Sequence, residues 1–299
     1  MTIHTFQELR AAAREQGPRT VVAVGAQQAA FLKALSWARQ EGVAEAILVG
    51  DEAKIRDLAA AEGIDIDGME IVHEEDVVFA ARTSMMLVAQ GRAHLAMKGK
   101  VDTATFLRAA LDKEIGLRTG RLLSHVAAFD IKLGRLLLIS DAGVNIAPNL
   151  EQKAEIVRNA VFVAHKLGIE LPKVAVLASN EIVNPKMPAN IEAAALAKMA
   201  DRDQITGALV DGPLALDNAI SIQAAQMKGI KSQVAGYADI LIPPDIEAGN
   251  MLAKALIYFA SSSMAGVVVG AKVPLILPSR SATFEDKLNS LALGVVMAL

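Results

Sequence analysis

The sequence contains no cysteine among its 299 residues and only one tryptophan. Without cysteine the chain cannot form disulfides, bind a metal through thiolates or use a cysteine nucleophile, and such a composition suits a reducing cytoplasm. An excess of charge is lacking too, since 30 Lys and Arg residues stand against 33 Asp and Glu residues. The charge balance therefore predicts no nucleic-acid partner and no disordered acidic arm.

The sequence also lacks a hydrophobic run long enough to span a membrane. Its longest apolar stretch, Met264–Leu277, is interrupted by Gly270, Lys272 and Pro274, and it is short for a bilayer. It predicts a pair of buried strands instead. The first segment, MTIHTFQELRAAAREQG, is amphipathic and has no apolar core of the signal-peptide kind. We therefore expect a soluble, cytoplasmic protein with no membrane partner.

Short apolar runs alternate with longer segments of helical periodicity. Near-continuous apolar runs separated by helices are typical of a parallel sheet covered on both faces, so the sequence predicts a doubly wound α/β fold. The runs are Val21–Gly25, Ala46–Gly50, Ala93–Met97, Leu136–Ser140, Val174–Ala178, Ala208–Asp211, Asp239–Ile242, Val267–Gly270 and Pro274–Leu277. Because these are many strands for one sheet, we expect two α/β domains, one of residues 1–140 with 273–299 and one of residues 141–272.

Ligands of open α/β folds bind beyond the carboxyl ends of the strands, where N–H groups at helix starts point outward. One such loop, MKGKVDT (Met97–Thr103), contains Gly99, which permits close backbone approach, and Asp102 or Thr103 can cap the following helix. Five of the cations within the 24 residues 98–121 are candidates for binding: Lys98, Lys100, Arg108, Arg118 and Arg121. The segment predicts either a solvated basic face or a site for phosphate or a phosphorylated cofactor.

A second loop of interest is PSRSATFEDK (Pro278–Lys287), which follows a buried strand. Arg280 emerges among small hydroxyl residues and can meet an anion. Thr283 and Asp286 have the spacing of a helix N-terminal capping pattern, and a carboxylate in the first helical turn is favoured by the helix dipole. From the local pattern alone, the cap is the favoured role of Asp286.

A third loop, VDGPLALDNAIS (Val210–Ser221), contains Asp211 and Asp217, which either line a cleft or serve as a turn-former and a surface acid, the commoner case. The usual fingerprints of dinucleotide binding, of the phosphate-binding P-loop and of serine hydrolases do not occur. The histidines lack metal-ligand spacing, so we expect no metal site.

Four long segments resemble the phosphate acetyltransferase/phosphate butyryltransferase family, and its butyryl branch in particular. They cover almost the whole chain in order: Met97–Asp130, Asp141–Val161, Val210–Ser221 and Leu277–Gly294. The resemblance implies a two-domain fold like that of isocitrate and isopropylmalate dehydrogenases, with the active site in an interdomain cleft, and a homodimer or higher homo-oligomer. It also implies exchange of a short acyl group between coenzyme A and inorganic phosphate, with acyl-CoA, phosphate and acyl phosphate as partners and without a metal or redox cofactor.

The resemblance also implies roles for individual residues. The catalytic group of the acetyl branch, a Ser-Arg pair with an Asp six residues later, falls on Ser279, Arg280 and Asp286. Butyryl-type relatives often carry Glu one position earlier, so the base is either Asp286 or Glu285. Arg108 matches an arginine associated with coenzyme A binding. The predicted substrate-binding set is Lys98, Gly99, Lys100, Thr103, Arg108, Arg118 and Arg121.

The chemistry agrees with these roles. A thiol with a pKa of about 8.5 is mostly protonated at neutral pH, so a carboxylate base assists its attack, and an arginine neutralises phosphate and oxyanion charge. Three alternatives remain open at this point. In the first, the transferred acyl group is acetyl rather than butyryl. In the second, the chain is a non-catalytic sensor of acyl phosphate or CoA. In the third, it is a dehydrogenase of the same fold, for which we find neither a nucleotide site nor clustered metal-binding aspartates.

Overall fold

The computed structural model of the chain describes residues 2–132, 134–279 and 281–298. Its internal contacts divide the chain into two units. Unit 1 is formed by Met1–Thr5 and Leu122–Ser263, and unit 2 by Phe6–Arg121 and Met264–Leu299. In both, helices alternate with buried strands, which confirms the predicted α/β class. The similarity of the fold to that of isocitrate and isopropylmalate dehydrogenases stays a prediction.

Unit 2 begins with five helices and four strands that alternate along the chain. They are α1 (Phe6–Glu15), β1 (Arg19–Val24), α2 (Ala29–Gln40), β2 (Ala44–Gly50), α3 (Glu52–Ala61), β3 (Glu70–His73), α4 (Val77–Ala89), β4 (Leu95–Lys98) and α5 (Thr103–Ala110). Later in the chain the unit is completed by β10 (Met264–Val269), β11 (Leu275–Ile276) and α11 (Phe284–Met297).

The sheet of unit 2 has the strand order β3-β2-β1-β4-β11-β10. All neighbours are parallel except β10 and β11, which pair antiparallel. Helices α1 and α2 pack on α11, whereas α4 packs on α5 and on strands β1, β2 and β4. Most of α11 is buried, from Asp286 to Met297. Burial of this apolar surface is the main source of stability in such a core.

Unit 1 contains five strands and five helices. In chain order they are β5 (Ser124–Asp130), β6 (Leu136–Ser140), α6 (Leu150–Lys166), β7 (Lys173–Leu177), α7 (Pro188–Asp201), β8 (Leu209–Leu214), α8 (Leu216–Ile220), α9 (Ile222–Met227), β9 (Ile240–Ile242) and α10 (Ile246–Tyr258). The strand order is β5-β6-β9-β7-β8, in which only β5 and β6 pair antiparallel.

The boundaries of the units differ from the predicted ones, which lie after residues 140 and 272. The observed divisions fall after Thr5, after Arg121 and after Ser263. The two antiparallel pairs explain the difference. Strand β5 pairs with β6, which keeps the chain from residue 122 onward in unit 1, and β10 pairs with β11, which brings the chain from residue 264 onward into unit 2.

Candidate functional site

A cavity of about 660 Å³ lies at the carboxyl edge of the sheet of unit 2. Its walls come from segments that follow five neighbouring parallel strands: 25–28 after β1, 50–54 after β2, 74–80 after β3, 98–102 from the end of β4, and 278–279 after β11. The volume is typical of small-molecule sites. The carboxyl edge of a parallel sheet is where α/β folds bind ligands, so this cavity is the candidate site.

The turn after β4 is held tightly against the turn after β1. The backbone N–H of Gly99 donates to the carbonyl of Val24 at 2.8 Å, and that of Lys100 donates to the carbonyl of Gly25 at 2.7 Å. A Cβ atom on Gly99 would overlap the carbonyl oxygens of Val24 and Gly25. Glycine is therefore required at position 99 by close backbone approach, as the sequence predicted.

Two lysines of this turn line the cavity. Lys98 is 6% exposed, and its Nζ donates to the carbonyl of Val101 at 3.1 Å. Lys100 lines the same cavity and is exposed. A buried ammonium group at a strand end presents positive charge to the cavity, and its attraction for an anion is stronger there than in bulk water.

Helix α5 begins at the same turn. The Asp102 carboxylate accepts from the N–H of Thr105 at 2.9 Å and caps the helix. This hydrogen bond holds the pKa of Asp102 below its ordinary value. Of the two predicted capping residues, Asp102 thus has the role, and Thr103 is the first residue of the helix. Asp102 is among the residues that line the cavity, and Thr103 is not.

The three predicted arginines lie outside this cavity. Arg108 is exposed on the last turn of α5. Arg118 and Arg121 are exposed as well, and the backbone of Arg118 forms an isolated antiparallel bridge with Ala271. Of the five predicted cations, the described cavity therefore brings together Lys98 and Lys100. Substrate binding by the arginines stays a prediction.

The loop after β11 reaches the cavity through Pro278 and Ser279. The Oγ atoms of Ser279 and Ser281 lie 3.0 Å apart and share a hydrogen bond. Arg280, the predicted anion-binding residue between them, lies outside the described residues. The structure thus brings Ser279 to the same cavity as Lys98 and Lys100.

Asp286 forms the capping box that its spacing from Thr283 predicted. Its Oδ2 accepts from the N–H and the hydroxyl of Thr283, at 3.1 and 2.7 Å, while the Thr283 Oγ1 accepts from the N–H of Asp286 at 3.1 Å. Its Oδ1 accepts from the N–H of Met264 at 3.0 Å. Asp286 is 7% exposed, so the carboxylate is buried and joins the start of α11 to β10.

Glu285, the other candidate base, has a different environment. Its side chain is 59% exposed, and it lies 3.6 Å from Nη1 of Arg10. Lys287, two residues further along α11, is buried and donates to the carbonyl of Ala282. Burial lowers the pKa of Lys287, although the Asp286 carboxylate acts in the opposite direction. Both acids lie in the first turn of α11, where the helix dipole favours negative charge.

Sequence reasoning missed the polar residues that the first three strands contribute. Gln27 and Gln28 follow β1, Lys54 follows β2, and Glu74 and Glu75 follow β3. The Oε1 atom of Gln27 is buried without a hydrogen-bond partner among the described residues. Gln28 is the N-cap residue of α2 but makes no side-chain capping bond. For Gln27, Gln28 and Lys54 the available signal was their position shortly after predicted strands. Glu74 and Glu75 follow β3, a strand that the sequence did not predict.

The two acidic residues of the third loop have different environments. Asp211 lies within strand β8, where it accepts from the N–H of Gly212 at 2.8 Å, and it lines a second cavity, so it is not the predicted turn-former. Asp217 is paired with Lys228, and this contact lowers the pKa of the carboxylate. In the same unit, Asp141 accepts from the N–H groups of Gly143 and Val144 at 2.7 and 2.9 Å, which fixes the turn after β6.

The described part of the chain has neither a metal-binding cluster nor a membrane-spanning helix. Among residues 2–132, 134–279 and 281–298, no group of three or more His, Asp or Glu side chains is arranged to hold a metal ion. No helix within these ranges is both long and apolar enough to cross a bilayer.

Comparisons with known proteins agree with the resemblance seen in the sequence. The family model described as "Phosphate acetyl/butaryl transferase" matches residues 4–82 and 74–295. The chain is 46% identical to a phosphate butyryltransferase from Clostridium acetobutylicum, over 99% of both chains. It is 43% identical to a phosphate acetyltransferase from Rhizobium meliloti, over 98% of this chain and 93% of that one.

A solved structure is similar as well. The crystal structure of a branched-chain phosphotransacylase from Enterococcus faecalis matches with a TM-score of 0.83 and 35% sequence identity, covering 94% of this chain and 100% of that one. The matches in sequence and in structure both extend over nearly the whole chain. The chain therefore belongs to the phosphate acetyl/butyryl transferase family.

Proposed function

We propose that the protein is a phosphotransacylase that exchanges a short acyl group, butyryl in the first instance, between coenzyme A and inorganic phosphate. The observation that carries this proposal is the 46% identity to a phosphate butyryltransferase over nearly the full length of both chains. The cavity supports it, because the buried Lys98 and the Ser279 hydroxyl lie in one space at the carboxyl edge of the sheet. A cytoplasmic location, which the lack of cysteine suits, is part of the proposal.

The reaction needs no covalent intermediate with the enzyme. In one direction a phosphate oxygen attacks the thioester carbonyl, the carbon–sulfur bond breaks, and coenzyme A leaves as a thiolate that takes up a proton. In the other direction a base removes the thiol proton, the sulfur attacks the carbonyl carbon of the acyl phosphate, and the bond from that carbon to the phosphate oxygen breaks so that inorganic phosphate leaves. Both directions develop negative charge on the carbonyl oxygen, which hydrogen-bond donors and cations stabilise.

The proposed roles follow from this charge distribution. Lys98 and Lys100 attract the phosphate group, and the Ser279 hydroxyl donates to one of its oxygens. Arg280, which follows Ser279 in sequence, neutralises phosphate and oxyanion charge. Either Glu285 or Asp286 removes the thiol proton. The three hydrogen bonds accepted by Asp286 support a structural role for that residue, whereas the exposed Glu285 retains access to solvent.

Release of coenzyme A from butyryl-CoA is expected to depend on phosphate, because phosphate is the proposed acceptor. The measurement is thiol release by the purified protein with butyryl-CoA and acetyl-CoA, with and without phosphate. Acetyl-CoA used with tenfold better efficiency would favour the acetyl alternative, which the 43% identity to a phosphate acetyltransferase supports. Phosphate-independent release, or none with any short acyl-CoA, would contradict the proposal and favour a sensor.

The proposed reaction requires neither metal nor nicotinamide. Thiol release is therefore expected to continue in EDTA and without added nucleotide. If chelation abolished activity and a divalent ion restored it, the assignment of all charge stabilisation to lysine, arginine and serine side chains would be wrong.

We further propose that two copies of the chain associate through α10. Gly249 is the only buried residue of this helix, while Met251, Tyr258 and the adjoining Phe259 are 66, 63 and 91% exposed. A helix with so much exposed apolar surface is typical of an interface. Residues 247, 251, 254 and 258 share one face. We place the two-fold axis of an antiparallel pairing beside Met251, so that Glu247 meets the partner subunit's Lys254.

Charge reversal tests this pairing. Glu247→Lys alone is expected to weaken the dimer, because it sets two lysines against each other, whereas Glu247→Lys with Lys254→Glu should restore it. Met251→Glu should give a monomer in light scattering, and Met227→Glu, at a position 82% exposed on α9, serves as the matched control. A monomeric unmodified protein, or a dimer unaffected by Met251→Glu, would refute this interface.

A further inference from the structure

The cavity of unit 2 has an apolar wall beside its charged one. Val77 and Ala80 contribute to it from the first turn of α4, and Val101 contributes from the turn between β4 and α5. Ala80 and Val101 are buried, at 1 and 6% exposure, whereas Val77 is 39% exposed. The wall is thus a small apolar surface, open at Val77 and closed behind by the core.

The packing of α4 puts this wall next to the lysines. Helix α4 contacts α5 and strands β1, β2 and β4. Since helices that follow parallel strands begin at the carboxyl edge of the sheet, the first turns of α4 and α5 lie at the same edge. Val101 is three residues from Lys98, and the Lys98 ammonium group donates to the Val101 carbonyl. A ligand whose anionic group meets Lys98 can therefore extend its apolar part over Val101 and Val77.

The proposed substrates contain one part that fits such a wall. Phosphate and the phosphate groups of coenzyme A are anions, and the pantetheine arm carries amides and hydroxyls that require hydrogen bonds when buried. The alkyl chain of the acyl group is purely apolar and is joined directly to the reacting carbonyl. Burial of each methylene against apolar surface favours binding by several-fold, which is enough to separate butyryl from acetyl substrates.

We infer that Val77, Ala80 and Val101 receive the alkyl chain of the acyl group and set the chain-length preference. This inference rests on the proposed function, since it assumes an acyl-CoA in the cavity. Of the three residues, Val77 is the best suited to control which chain lengths fit, because it is the most exposed and forms the open end of the apolar wall.

Val77→Phe tests the inference, with Val78→Phe as the matched control. Both valines belong to the first turn of α4, but Val78 is 54% exposed and is not among the residues that line the cavity. Val77→Phe is expected to lower the ratio of kcat/KM for butyryl-CoA to that for acetyl-CoA by about tenfold, in line with the usual effect of one or two methylenes in a pocket. Val78→Phe should leave the ratio unchanged, and Val77→Ala should improve use of hexanoyl-CoA.

The outcomes separate the inference from the function on which it rests. An active enzyme whose butyryl-to-acetyl ratio is the same in all three variants overturns the inference and leaves the function intact. An equal decrease in kcat/KM for every acyl-CoA also overturns the inference, since the pantetheine arm rather than the alkyl chain would then cover the apolar wall. Calorimetric Kd values for butyryl-CoA and acetyl-CoA complete the test. An inactive protein whose binding preference depends on Val77 would refute the function and support the inference.

Discussion

Replacement of Arg280 by alanine is expected to lower kcat/KM by about 10²–10³-fold, the usual cost of losing a donor to a developing oxyanion. Arg280 follows Ser279, which lines the cavity with Lys98 and Lys100. From this sequence position we expect Arg280 to neutralise the negative charge that the phosphate and carbonyl oxygens carry in the proposed reaction. The measurement is kcat/KM for butyryl-CoA with phosphate as acceptor.

Lysine is not expected to substitute for Arg280. The guanidinium group is planar and binds two oxygens of a phosphate at once, whereas an ammonium group acts as a point charge. Arg280→Lys should thus recover little of the lost activity. Arg202→Ala removes an exposed arginine of unit 1 and is the control for the change in net charge. Its kcat/KM should be close to that of the unmodified enzyme. If Arg280→Ala kept kcat/KM within threefold of the unmodified enzyme, its role in the reaction would be excluded.

The second large effect is expected from the two acids of the first turn of α11. If one of them removes the thiol proton, its carboxamide variant should lose about 10²–10⁴-fold in kcat, the usual contribution of a general base. We expect such a loss in either Glu285→Gln or Asp286→Asn. Near-normal turnover in both variants would eliminate both acids as the base.

Stability separates a capping role of Asp286 from a catalytic one. In Asp286→Asn the amide nitrogen would replace an oxygen that accepts from two donors of Thr283, or would face the N–H of Met264. A mismatch of buried donors costs about 1–3 kcal/mol, so the melting temperature should fall whether or not kcat changes. Asp245→Asn, at the N-cap of α10, is a cap-only control, and Asn and Asp are nearly equivalent there.

Most of the fold was predictable because buried parallel strands have a distinctive composition. Each of the nine apolar runs corresponds to a strand. The two missed strands have weaker patterns. Strand β3 is four residues long with exposed ends at the edge of its sheet, and β5 begins with Ser124 and His125 and pairs antiparallel with β6. Strand direction depends on tertiary pairing, so the two antiparallel pairs, β5 with β6 and β10 with β11, could not be predicted from the local pattern.

The site was only partly predictable, for a related reason. The loops after β4 and β11 were identified, and Lys98, Lys100 and Ser279 do line one cavity. Which other loops join them depends on the strand order β3-β2-β1-β4-β11, and no local pattern encodes that order. Arg108 does not line this cavity, because α5 carries it from the sheet edge to the last turn of the helix; its binding of coenzyme A stays a prediction.

Because β11 lies between β4 and β10, the sheet of unit 2 stays incomplete until residues 264–298 have been synthesised. Strand β4 of the nascent chain then has a partner on one side only, and an unpaired strand edge is prone to associate with other chains. The strands of unit 1 are all made before that point. On the ribosome, unit 1 is therefore the first unit that can complete its sheet. Residues 6–121 keep an unpaired strand edge for longer, and we expect this segment to depend most on chaperones.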